Sequence, residues 1–337
     1  MRRTLILITA LLTLVGAFQL QAQPQQIVGR DVPAEIESLL NTAISELQTV
    51  LPEELARQIL TALSQHFLNE LGVLYGSDLR DLVDVPFAEY PPSNTARIYS
   101  IALSNTLVLL VQHESTVSLY EVAVSRDRLE SAIRYHLQEL QISSSFNGME
   151  RASQELYGWI LQPFVTGLRE AGVEKLVFVP SSTLRPLPFS TLFDGRRYVV
   201  DDFELALTLA PEFRDPGMAN LDSLPVYEDF ETDTLAGELA FSKSQRLVDA
   251  RFPILQLLGN FLPTGSDAHL VSLWPPRAAA SAEFMELFSL AMQEGGGYAA
   301  ALRSAQLQMK ASGQFGHPFY WGSYLLVEKA GQDILGH

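Results

Sequence analysis

Apolar positions follow two different textures along this chain. In the N-terminal part they recur three or four residues apart: Ile36, Leu39, Leu40, Ala43 and Leu47 share one helical face, and Leu55, Ile59, Leu63 and Phe67 share another. Asp31 is placed to cap the first helix with Pro33 near its first turn, and Pro52 opens the second. Together these segments predict a helical hairpin whose apolar stripes serve packing rather than a ligand groove. No self-similarity at the roughly 34-residue period of a helical repeat is present.

From about Phe87 the texture becomes strands alternating with helices. Thr95 to Leu103 and Leu107 to Gln112 alternate as a hairpin turning at Ser104-Asn105, and Val117 to Val124 continues it into a small antiparallel meander. Arg126 to Leu140 places Leu129, Ile133, Leu137 and Leu140 on one helical face. Glu150 to Glu170 predicts a longer helix interrupted at Pro163. Lys175 to Val179, ending in Pro180, fits a buried parallel strand, and Phe203, Leu205, Leu207 and Leu209 alternate toward Ala210-Pro211 as another. Beyond it an acidic run, Glu228 to Asp233, precedes a stretch near Leu235 to Leu247 that predicts helix.

Composition narrows the function classes. A chain of 337 residues with 47% hydrophobic and 18% charged residues, 21 Gly and 18 Pro is a folded globular body of one or two domains. A net charge of −16 repels phosphates, which argues against nucleic acid and acidic membranes as partners. With no cysteine, disulfides, thiolate metal sites, Fe–S clusters and a cysteine nucleophile are all excluded. The first residues read as an address: Arg2-Arg3, an apolar run from Leu5 to Phe18, then Leu20-Gln21-Ala22. A signal peptide over residues 1–22, cleaved after Ala22, is expected, with an uncleaved anchor as the alternative. A Gln-rich linker and the helical segment then occupy 23–86. Past the signal peptide no uncharged stretch reaches a bilayer span, so a soluble body, secreted or periplasmic, is expected.

Several blocks resemble the CHAT domain, a caspase-like, separase-related peptidase module often attached to tetratricopeptide repeats. The first runs Leu176-Val177-Phe178-Val179-Pro180, then Leu184, Pro188-Phe189, Leu192 and Asp194-Gly195. Leu270-Val271-Ser272-Leu273-Trp274-Pro275 resembles the family's late strand, followed by a helix with Phe284, Met285 and Phe288. Gly295-Gly296-Gly297, Ala301 to Gln306, and His317-Pro318-Phe319-Tyr320-Trp321 lead into a last strand, Tyr324 to Val327. The likeness extends over about 87–337. It implies an α/β fold: a caspase-like, mainly parallel sheet flanked by helices and shortened in the middle, with the meander and the N-terminal hairpin added.

The resemblance also implies a His-Gly pair after one core strand and a Cys after the next, the thiolate attacking a peptide carbonyl with the His as base. Here no His precedes Gly and no Cys exists. Pro211 and Ser272 lie closer together than the family spaces these landmarks, so the centre, about 212–262, reads as truncated. Losing a nucleophile or its base typically costs on the order of 10⁶ in rate.

Other chemistry is weakly signalled. No Gly-x-Ser-x-Gly elbow occurs. Ser181 and Ser182 end a strand, where catalytic groups are found in α/β sheets, but a turn, where Ser, Thr and Pro are expected on backbone grounds, is the simpler reading. His317 reads as a packed or hydrogen-bonded residue of the C-terminal block. Asp267-Ala268-His269 supplies too few ligands for a metal, Glu228 to Asp233 lacks the turn glycine of a calcium loop, and Gly295 to Gly297 reads as a helix connector. Trp274, Trp321 and Tyr320 are assigned to the core. No catalytic, cofactor or metal residue is assigned. The expected function is that of an inactive CHAT-like pseudo-peptidase in a bacterial cell envelope, binding a protein or extended peptide, an unpaired sheet edge being one means. The alternatives are a hydrolase with a relocated non-cysteine site and a non-functional remnant.

Overall fold

The computed structural model describes residues 32–46, 49–75, 90–142, 146–208, 230–234, 239–244, 268–274 and 276–328, with the main chain alone at 68, 71–75, 230–234 and 239–244. The expected signal peptide, the Gln-rich linker and most of the central segment lie outside these residues. Among the described residues no helix is long and apolar enough to cross a membrane.

The hairpin is present as α1 (Ala34–Ser45) and α2 (Glu53–Tyr75). One detail differs from expectation: Pro33, not Asp31, occupies the N-cap of α1, and no side chain caps it. The proline ring biases the residue before it away from helical angles, so the helix starts only after Pro33. Ile36, Leu40 and Ala43 of α1 and Ile59, Leu63 and Phe67 of α2 are buried, as their spacing predicts.

The meander consists of β1 (Thr95–Ala102), β2 (Leu107–His113) and β3 (Thr116–Val122). Helix α3 (Arg126–Leu140) follows, the Ser125 hydroxyl accepting a hydrogen bond from the Arg128 N–H at its start. The expected long helix is two, α4 (Asn147–Ile160) and α5 (Val165–Glu170), because Pro163 stands between them and has no N–H to continue the ladder. β4 (Lys175–Pro180), a 3-10 turn (Phe189–Thr191), α6 (Val199–Asp202) and β5 (Glu204–Leu207) come next. β6 (Phe230–Thr234), β7 (Leu239–Ser244) and β8 (Ala268–Ser272) follow. The described elements close with α7 (Ala278–Gln293), α8 (Gly297–Ala311), α9 (Pro318–Trp321) and β9 (Tyr324–Glu328).

All nine strands form one sheet in the order β3-β2-β1-β4-β5-β9-β8-β7-β6. It is parallel through β1, β4 and β5, and antiparallel in the meander, between β8 and β9, and in the β6–β7 hairpin. Among the described residues β5 faces β9 at one register pair, Leu207 opposite Val327, and runs parallel to it. The helix expected near Leu235 to Leu247 is corrected: Leu239–Ser244 is strand β7, parallel to β8 over five register pairs. Ser242 and Ser244 are weak helix formers, and the ladder offered by the buried β8 outweighs local preference.

The sheet separates two cores. On one face α3, α4, α5, α7 and α8 pack with Ala96, Ile98, Phe178, Leu205 and Leu270. On the other the α1–α2 hairpin covers Tyr99, Ile101, Val108, Leu110, Val117, Leu119 and Val179. Trp274, Trp321 and Tyr320 are buried, in agreement with their core assignment.

Candidate functional site

Thiol peptidase chemistry needs an imidazole and a sulfur at neighbouring strand ends, so the histidines are the first residues to locate. The centre that the resemblance implies to be truncated, about residues 212–262, contains none of the chain's 6 His. Each described imidazole has a structural position elsewhere. His66 lies on α2, 3.9 Å from Glu70. His113 Nε2 is 2.9 Å from the Ser93 carbonyl oxygen. His317 is the N-cap of α9, Nδ1 accepting from the Phe319 N–H, with its ring edge-on to Phe146. His269 is buried in β8, and burial pushes its pKa down to about 4.

His136 is hydrogen-bonded to a hydroxyl. Its Nε2 lies 2.8 Å from Thr191 Oγ1, and that hydroxyl donates to the Pro188 carbonyl. Both side chains are sealed from solvent, and burial, outweighing a hydrogen bond with the Met149 backbone, lowers the His136 pKa to about 3. A base this weak, inside a core and away from any strand end, ties α3 to the 3-10 turn. Ser153 on α4 does the same by donating to the Thr191 carbonyl at 2.7 Å.

Strand ends hold the accessible polar chemistry. Ser181, just past β4, donates its N–H to Ser100 O of β1 at 2.9 Å, and its hydroxyl accepts from the Ala102 N–H at 3.4 Å. Ser181 is buried and Ser182 and Thr183 are half-buried. Arg126 closes the end of β1 through two contacts to the Ala102 carbonyl, 3.3 and 3.0 Å long. Arg185, whose N–H bonds Ser181 O at 3.2 Å, turns toward α2: its Nη2 reaches Glu70 Oε2 at 2.5 Å and its guanidinium lies over the Phe67 ring at 5.5 Å. Sequence reading missed Arg185 and Glu70. The sole signal was a charged residue set between Leu184 and Leu187, since the partner lies 115 positions away.

The remaining candidates have structural settings. Asp194 accepts the backbone N–H groups of Arg196 and Arg197, and Arg169 joins Asp194 and Asp202, fixing the loop into α6. Gly295, Gly296 and Gly297 all have positive φ and connect α7 to α8. Of the residues considered for metals, Asp267, Glu228 and Asp229 lie outside the described residues. Among those described no group of three or more His, Asp or Glu is placed to hold a metal ion.

Comparison with known proteins agrees with this geometry. The model of the CHAT domain matches residues 150–253 and 251–329, more than half of the chain. Tetratricopeptide repeat protein 28 of Homo sapiens is 35% identical over 81 residues, which is 24% of this chain and 3% of that protein, so the match covers a small part of that relative's length. CHAT domains are protein-interaction or peptidase-like modules. On the family match and the sheet that accompanies it, the chain belongs to the CHAT domain family.

Proposed function

We propose that this protein is a pseudo-peptidase: a CHAT scaffold that binds a protein or extended peptide in the cell envelope without cutting it. One observation carries the reading. The chain has no cysteine, and the segment where the family places its dyad has no histidine either. The described histidine–hydroxyl pair, His136 with Thr191, is fully buried. Ser181 and Ser182 lie at a strand end, but their setting is that of a turn.

The purified mature chain, incubated with unfolded protein and random peptide libraries, is expected to release no fragments above a buffer control. A fluorophosphonate probe is expected to leave Ser181 and Ser182 unlabelled. Robust cleavage abolished by a point mutation at either serine overturns the reading. Export is tested by fractionating cells and sequencing the mature N-terminus, expected to begin at Gln23.

A further inference from the structure

Arg185 has more hydrogen-bonding capacity than its surroundings satisfy. Its side chain is 5% exposed, and Nε and Nη1 are buried with no hydrogen-bond partner. A guanidinium presents its donors as two forks that share Nη2. With a single Glu70 oxygen on Nη2, each fork keeps one unused arm. Buried donors left unpaired are costly, and native structures retain few of them without a use. Glu70 cannot fill both arms as placed, because its other oxygen, Oε1, is directed to His66 at 3.9 Å.

The position of this arginine is also that of a ligand site. From β1 the chain runs outward through β2 and β3, and the helical crossover α3–α5 then returns it to β4 on the opposite side of β1. The carboxyl ends of β1 and β4 therefore lie at the point where strand order reverses, the place where open α/β sheets hold ligands. Ser182 and Thr183 are half-buried there, and Glu70 keeps 17% of its side chain exposed, so solvent reaches the arginine's partner.

We propose that Arg185 is the centre of a carboxylate-binding site at the β1 and β4 strand ends. Glu70 of α2 holds it in the absence of a partner, and an aspartate or glutamate side chain of an extended peptide displaces Glu70. This deepens the pseudo-peptidase reading and rests on it. A carboxylate free to orient both oxygens would supply the charge-assisted contacts that the helix-bound Glu70 does not.

The test is fluorescence anisotropy on the full mature chain with four libraries of unstructured nonapeptides, random except for a central Asp, Glu, Asn or Gln and with amidated ends. A fifth library has a free C-terminal carboxylate and a central Asn. The acidic libraries are expected to bind about tenfold or more tightly than the amides. Glu70→Gln, which removes the internal competitor, is expected to tighten acidic peptides several-fold and leave the amides unchanged. Arg185→Lys is expected to abolish the preference. Should Arg185→Lys fail to fold, judged by its thermal melt, Glu70→Gln decides, because a purely structural ion pair predicts lost stability without gained affinity. Peptide binding with no acidic preference and no response to Glu70→Gln overturns this inference and leaves the pseudo-peptidase reading standing. Preference for the terminal carboxylate alone overturns the side-chain assignment. Absence of binding to every library overturns both.

Discussion

A histidine sealed in a core makes stability depend on pH. His136 and His269 have folded pKa values lowered to about 3 and about 4, by burial in each case, while in the unfolded chain they take up protons near 6.5. Between those limits the unfolded state binds more protons, so stability is full above about pH 6.5 and falls as the pH drops toward 3. Each histidine contributes about 1.4 kcal/mol per pH unit at the steepest. Urea midpoints are expected to be flat from pH 8 to 7 and to decline from pH 6.5 to 5. His136→Gln keeps a donor for Thr191 and is expected to remove about 1 kcal/mol per unit of that decline. An unchanged slope would show that this imidazole is not buried neutral. This role was not legible along the chain, because the Thr191 partner is 55 positions away and neither residue on its own signals it.

Elements were legible where their cause is local. The helical stripes of α1 to α3, the break at Pro163 and the alternation of β1 and β2 follow from spacing and from proline, and the structure places them within a few residues of expectation. β7 was not legible, since its strand state depends on a partner, β8, more than twenty residues on. Contacts between elements are likewise non-local. At Gly322, which ends α9, an added Cβ would collide with the Thr191 methyl and lie 2.8 Å from the Pro318 carbonyl oxygen. Gly322→Ala is therefore expected to cost about 1–3 kcal/mol in a denaturant melt. Gly313→Ala, with nothing within 4 Å, is expected to change stability by less than about 0.5 kcal/mol. Equal effects would mean that α9 does not rest on the 3-10 turn as described.

At the scale of the molecule, the hairpin is part of the same folded unit as the sheet, since α1 and α2 share a core with β1, β2 and β3. Phe67, 2% exposed, belongs to that core and also lies beneath the Arg185 guanidinium. Phe67→Ala is expected to cost about 3–5 kcal/mol. Far-UV circular dichroism and tryptophan fluorescence should report one shared midpoint, because Trp274 and Trp321 lie on the opposite face. Two separated transitions would show that hairpin and sheet unfold independently. Family membership was legible from blocks of residues that stand together in sequence. The order of the strands after β5 was not, because it is decided by which edges remain to be paired.

Among the described residues that order shows one facing pair between β5 and β9, while the ladders on either side extend over several residues. Across this seam Lys175 and Glu328 form an ion pair 2.8 Å long, and α8 packs on both β5 and β9. A load applied between β1 and β8 therefore passes through this ion pair and through α8 as well as through the strands, as stitches carry strain across a seam.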